Sequence, residues 1–519
     1  MIRGRTSRRV LAALASLALY AGPAHADRDT EQLIEGAREA GQWSVVALLY
    51  GKLIDAAIDA GETTGGPIAG LYRERAEAYR MSGDLRSAFA DCESAIGAAP
   101  RLPAGFDCRG QIALMFGDID GALADLDHAL AIDPGYAAAY SHRGIALMQI
   151  GEWEEALGDL TKAIDLGETS APVFADRCAC HYNMGHLPEA EDDCLRAIAE
   201  DPDYGWSYNN YALLQWQGND LEGALESLNR AIDRLPDERV PLRNRAGIFY
   251  ERGAYDLAIA DQTALLQQDP DDALTLDNRG MAHAGNGDYS LAIADHRESL
   301  QLAPDDAFTL GNLGYALIVT GRLEEGEAMV EEAIAATHGD PWAYGLLGKA
   351  YLKAGEYGDS VAAFQRGWDA NGDPSLESGM TVPLALLGDR EAVERLAEDI
   401  VRVNPYSQIA RQDLAEAFYL LGDADTALRH VNAALATADG VAETYHLAGV
   451  ILIALGRADA ARADLDRAIA AGGTSQIRAY YRRLAAHGYP VGPDGNVRDA
   501  AFDAALDACI ADRCSLYEG

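Results

Sequence analysis

A spacing of thirty-four residues runs along this chain from residue 69 to about residue 475 and leaves it little choice of fold. With position 1 placed at Ala69, Pro103, Ala137, Ala171, Gly205, Arg239, Ala273, Ala307 and Pro341, nine units follow one another without an insertion. Position 8 is small in every one: Ala76, Gly110, Gly144, Cys178, Ala212, Ala246, Gly280, Gly314 and Gly348. Position 20 is alanine from Ala88 to Ala292, then Gly326 and Ser360. Glycine recurs at position 15 from Gly83 to Gly355, and proline closes six units at position 32 (Pro100, Pro134, Pro202, Pro236, Pro270, Pro304).

The chemistry of this pattern is that of a helical hairpin. Two antiparallel helices touching at positions 8 and 20 leave no room for larger side chains. The glycine opens the turn between them, and the proline stops the second helix before the next unit begins. Bulky residues at position 4 (Tyr72, Phe106, Tyr140, Phe174, Tyr208) fill the gap between helices. Each unit buries its apolar face only against its neighbours, so the fold class is all-α, an α-solenoid of antiparallel helix pairs.

These residues resemble the tetratricopeptide repeat family. The resemblance covers residues 69–474, about twelve units. The tenth, around Ser375 to Pro405, departs from the pattern; the eleventh (Ala415, Gly422, Ala427) and twelfth (Gly449, Gly456, Ala461) return one residue short of register. The family implies a right-handed superhelix whose concave face holds an extended or helical peptide at positions 2, 5, 9, 12 and 13 of each first helix. Carried onto this sequence, those positions give Tyr182, Trp206, Asn209, Trp216, Arg243, Tyr250, Phe308, Tyr315, Trp342 and Lys349 as groove candidates. Ordinary packing is the alternative for each. The ordered lysine, asparagine and arginine of the family's two-carboxylate clamp are not evident.

Position 7 is arginine and position 23 aspartate in the same six units: Arg75/Asp91, Arg109/Asp125, Arg143/Asp159, Arg177/Asp193, Arg245/Asp261 and Arg279/Asp295. Both are absent together in the fifth unit (Tyr211, Ser227) and in the eighth (Leu313, Met329). These positions lie on facing helices, which predicts a partly buried ion pair repeated along the array. Losing one partner strands a charge, whereas losing both can be neutral. Inheritance of both residues by copied units gives the same pattern.

Residues 1–26 read as an export signal: the basic head MIRGRTSRR, the apolar run VLAALASLALYA, and a small-x-small site ending at Ala26. SRRVL resembles the twin-arginine signal, although an ordinary basic head with adjacent arginines is the favoured reading. An exported chain, most simply a bacterial periplasmic one, meets an oxidising compartment, where cysteines pair. Symmetry about the helix connections pairs Cys92 with Cys108 and Cys178 with Cys194; Cys509 with Cys514 spans a helix end, leaving Cys180. The alternative is that the array cysteines are small buried hydrophobes. CACHYNMGH has one residue too few between its cysteines for haem attachment, and its Cys178 and His181 point into the hairpin core rather than at a metal.

No phosphate loop, nucleophile elbow or H-E-x-x-H motif is present, so no enzyme, cofactor or metal is expected. The acidic pairs Asp271/Asp272 and Asp305/Asp306 read as helix caps. The net charge is −40, or −44 once the four arginines of the signal are removed. Such a surface repels nucleic acid and anionic lipid, leaving neutral or basic protein or peptide partners. A solvated acidic surface that only maintains solubility is the alternative. Beyond the signal no apolar run is long enough for membrane insertion.

Residues 27–68 read as a capping helix pair and linker, and residues 475–519 as a small helical module outside the array. The tail AAHGYPVGPDGNVRDAAFDAALDACIADRC has no small pair at positions 8 and 20 and makes no thirteenth unit. It resembles the peptidoglycan-binding-like domain through Tyr481, Leu484, Gly488, Tyr489, Gly492, Asp494, Gly495, Ala504 and Leu506, with Arg498 and Ala501 where that family has glycine and threonine. The resemblance implies a cell-wall adaptor as the alternative to a peptide-binding scaffold.

Overall fold

The computed structural model describes residues 23–437, 441–492 and 497–517. Residues 1–22, most of the segment read as an export signal, and Asp494 and Gly495 of the tail lie outside the described residues. Among the described residues there are helices and no strand. No helix among them is long and apolar enough to cross a membrane. The chain divides into two compact bodies, Met1–Leu214 and Gln215–Gly519, and the division falls inside the helix Gly205–Gln217. Each body is an α-solenoid of consecutive helix pairs.

The small positions are small because the helices touch there. A Cβ added to Gly144 would lie 2.8 Å from Leu160, and one added to Gly314 would lie 2.5 Å from Val330. The position-15 glycines carry the chain through the left-handed region, at φ from 71° to 86°. In the fifth repeat Asn219 takes that conformation at φ 62°; asparagine is one of the few residues with a side chain that tolerates it. The next helix is then capped: Asp84, Asp118, Asp220, Asp389 and Asp423 each accept the backbone N–H three residues on. Asp272 and Asp306 cap the first helices of the seventh and eighth repeats in the same way.

The arginine at position 7 forks onto the aspartate at position 23. Arg75–Asp91, Arg109–Asp125, Arg143–Asp159, Arg177–Asp193, Arg245–Asp261 and Arg279–Asp295 are each joined by two N–H···O bonds of 2.6–2.9 Å. Where both charges are missing in the eighth repeat, Leu313 and Met329 pack in one apolar cluster. Sulfur bridges join Cys92 to Cys108, Cys178 to Cys194 and Cys509 to Cys514, and Cys180 is buried and free.

The first body opens with the helices Pro23–Glu39 and Trp43–Asp59, whose Ile34, Val46 and Leu49 share a core with Ala78 of the first repeat. The second body is less regular. In the tenth repeat the first helix is split into Pro374–Gly379 and Thr381–Leu386. Pro383 has no N–H to return to the carbonyl of Gly379, which interrupts the helical ladder there.

The tail packs in one core with the twelfth repeat. The long helical run Ala458–Ala486 breaks at Gly473 (φ 59°, ψ −140°). The part beyond the break stacks at the array's own offset: Tyr480 lies thirty-four residues after His446, and their Oη and Nδ1 are 3.0 Å apart. Tyr480, Leu484, Phe502 and Leu506 are buried together with Val450, Ile453 and Leu465 of the twelfth repeat. The Gly/Pro-rich segment that sets this stretch apart in the sequence falls between these last two helices.

The second body also folds back on itself. Arg478 donates to Asp256 at 3.1 Å across 222 residues, and Arg252 donates to the carbonyl of Ala470 at 3.5 Å across 218. Gly253, at the turn of the sixth repeat, sits against Glu443 and Ala442 of the twelfth; a Cβ there would lie 3.0 Å from the Glu443 carboxylate. The twelfth repeat and the tail thus close onto the sixth, and Gly285 and Asn286 of the seventh line the same seam.

Candidate functional site

Position 2 of each first helix faces away from the hairpin's own core, so an apolar residue there is left for something else to cover. In the second body this position holds Val240, Leu274, Phe308 and Trp342 in the sixth to ninth repeats and Ile409 in the eleventh, whereas the tenth has the buried Leu376 and the twelfth Glu443. Leu274 and Phe308 are each 57% exposed and Ile409 is 61% exposed. Isolated exposed apolar residues are ordinary, but a row at one repeat position marks a contact surface.

The row passes a cleft. Where the broken tenth repeat fails to fill the space between its neighbours, a cavity of about 590 Å³ opens between the helices Pro341–Ala354 and Gln408–Leu420. That lies within the range of about 300–1,000 Å³ typical of ligand sites. Trp342 and Ile409 form its rim, and Leu346, Leu376 and Val382 are among its walls. Trp342 is held by two contacts. Its ring lies 4.8 Å from that of Phe308, centroid to centroid. Its edge rests on Gly311, where a Cβ would approach to 2.6 Å.

Asp340, Asp373, Asp413 and Glu416 bring carboxylates to this cleft, and Lys349 brings an ammonium. Asp340 and Asp373 cap the helices that begin beside them. Asp413 accepts the Ser378 hydroxyl at 2.7 Å, and Glu416 accepts the Tyr517 hydroxyl at 2.6 Å. Burial pushes both carboxyls above the usual carboxylate range, and these hydroxyls oppose the shift.

The remaining groove candidates are more engaged with the protein. Trp216 lies over Gly247 and donates its indole N–H to Glu251 at 2.7 Å. Arg243 is 3.4 Å from Asp272. Tyr250 packs against Tyr255, and Tyr315 against Tyr289; burial raises the phenol of each of these four. In the first body Tyr182 packs beside the Cys178–Cys194 bridge, and Trp206 is half-buried. Asn209 is only 2% exposed, so its side chain offers the groove almost no surface. Cys178, being bridged to Cys194, is withdrawn from any metal set with Cys180 and His181. Among the described residues there is no group of three or more side chains placed to hold a metal ion.

Sequence reasoning passed over Val240, Leu274 and Ile409, and also Asp413 and Glu416. The first two were available from position 2 of the ruler. Ile409 was obscured by the register slip before the eleventh unit. The two acids acquire their place only through the collapse of the tenth repeat.

Models of the tetratricopeptide repeat match residues 113–158, 181–239, 312–375 and 442–471. No curated protein sequence matches the chain. Among solved structures, yeast Tom70 is 14% identical over 76% of this chain and 96% of that one, at a TM-score of 0.41. A tetratricopeptide repeat protein from Parabacteroides merdae is 18% identical over 49% of this chain and all of that one, at 0.38. A thermophilic repeat protein of Thermus thermophilus is 21% identical over 35% and 99% of the two chains, at 0.31.

Proposed function

We propose that this array of tetratricopeptide repeats is an exported, non-catalytic scaffold that binds a peptide segment of a partner protein along the position-2 row of its second body. The row through the exposed Phe308 and Ile409 and the half-buried Trp342, running beside a cleft, carries this reading. Large, rigid apolar side chains around a pocket are the usual anchors of such binding. Export is supported by the basic and apolar leader of residues 1–26 and by three disulfides, which persist in oxidising compartments.

To the tail we assign the role of end cap, because its apolar residues cover the last repeat. Terminal repeats need such a cover to stay soluble. Sedimentation of the full chain with purified peptidoglycan would show that the tail does more.

The test of the scaffold reading is capture from a periplasmic extract by the full chain and by the variant Phe308→Ala/Trp342→Ala/Ile409→Ala. A specific partner should be retained by the first and reduced by about tenfold or more in the second, as loss of a few central anchors does. Equal capture by both, or none by either, would overturn the reading.

A further inference from the structure

The cleft beside Trp342 is built for a particular side chain. Its walls are apolar, with Leu346, Leu376 and Val382 among them, and its rim is the indole of Trp342. Its polar groups are mainly anionic: four carboxylates against the single ammonium of Lys349. Each carboxylate already takes a hydrogen bond from within the protein, through Ser378, Tyr517 or the capped backbone N–H groups. A carboxylate has room for about four such bonds, so acceptor capacity remains. Asp413 and Glu416 stand one helical turn apart on Gln408–Leu420, on the side that faces the cleft.

Three kinds of occupant can be compared. An acidic segment would place its charge among four like charges. A purely apolar one would cover carboxylates that burial already holds above their ordinary range, at further desolvation cost. A lysine or arginine can lay its methylene stem along the apolar wall and keep its head among the carboxylates. The indole adds a cation–π surface at the entrance. From this complementarity we infer that the cleft takes a lysine or arginine side chain of the bound peptide, so that the partner segment is basic and apolar. The inference rests on the peptide-binding reading above and adds the identity of its anchor.

The test uses fluorescein-labelled nonapeptide pools, randomised except for a central residue fixed as Lys, Arg, Leu or Glu. Binding to the full chain is followed by fluorescence anisotropy at low salt. The Lys and Arg pools should bind about tenfold tighter than the Glu pool, a difference of about 1.4 kcal/mol. Asp413→Asn/Glu416→Gln should abolish that preference. Because changing two half-buried groups can unfold the chain, Lys349→Glu, an exposed change, supplies a second arm and should widen the preference. Trp342→Ala should weaken every pool.

If all pools bind alike and Trp342→Ala still weakens them, peptide binding stands and the basic anchor is overturned. A preference left unmoved by Lys349→Glu, with the doubly neutralised variant folded and also unchanged, overturns it as well. If no pool binds, both readings fall.

Discussion

The two bodies of this molecule are made from the same repeat, yet they differ in how strictly they keep it. From the first repeat to the fourth, every hairpin of the first body carries its arginine–aspartate fork, and two sulfur bridges are added. In the second body the fork survives in the sixth and seventh repeats only. The eighth has apolar residues there, and the tenth has a broken helix. The exposed position-2 row and the cleft lie in this second body. Regular repeats fill their own interfaces; a repeat that fails to do so leaves space for a ligand. On the proposed function, the first body serves as support and the second as the place of recognition.

The largest effect should come from stranding one charge of a fork. In Arg75→Leu, Asp91 keeps its buried carboxylate without a partner, which should cost about 3–5 kcal/mol in the first body. Arg75→Leu/Asp91→Met, which copies the eighth repeat, should recover most of that loss. Urea unfolding of the two variants measures both. A double variant as unstable as the single one would mean that the fork, and not an apolar substitute, is needed there.

A slightly smaller effect per bridge should follow reduction of the disulfides. A bridge closing a loop of sixteen residues contributes about 3 kcal/mol through the entropy of the unfolded chain. Reduction should therefore lower the melting temperature of the first body more than that of the second, whose Cys509–Cys514 bridge closes only five residues. Hydrogen exchange with and without reductant resolves the bodies separately.

The smallest expected effect is one of pH. Burial pushes the carboxyl of Asp176, in the first body, up to about 7. Its folded-state value thus lies above its unfolded one, and the native state holds the proton more tightly. The resulting stabilisation is fully present below the unfolded value and is lost as pH rises through about 7. Asp176→Asn should flatten this slope and raise the melting temperature at pH 8 relative to the parent. A parent whose first body melts at the same temperature at pH 5 and pH 8 would contradict the assignment.

Much of this architecture could be read from spacing, because a hairpin of two short helices fixes which positions face each other. A separation of sixteen residues puts Arg75 opposite Asp91, and Cys178 opposite Cys194, whatever else the hairpin contains. What spacing does not carry is the sum of many small rotations between repeats. Arg478 and Asp256 meet after 222 residues, and no local pattern in either segment announces the other. The tail is an instructive intermediate. Its Gly/Pro turn breaks the ruler, so the sequence set it apart, while Tyr480, Phe502 and Leu506 continue the core by shape alone. The cleft, likewise, depends on what Pro383 does to a helix and on how far the neighbours follow.

The fold-back of the second body changes how that body comes apart. In an open row of repeats each member answers only to its neighbours, and an end can fray at the expense of a single interface. Here the twelfth repeat and the tail are also held by the sixth repeat, through Arg478, Arg252 and the packing at Gly253. Removing them means giving up two interfaces at once, so the row behaves as a loop without a loose end. Its unfolding becomes a shared event across the loop, and the curvature of the proposed binding surface is set by the whole circuit.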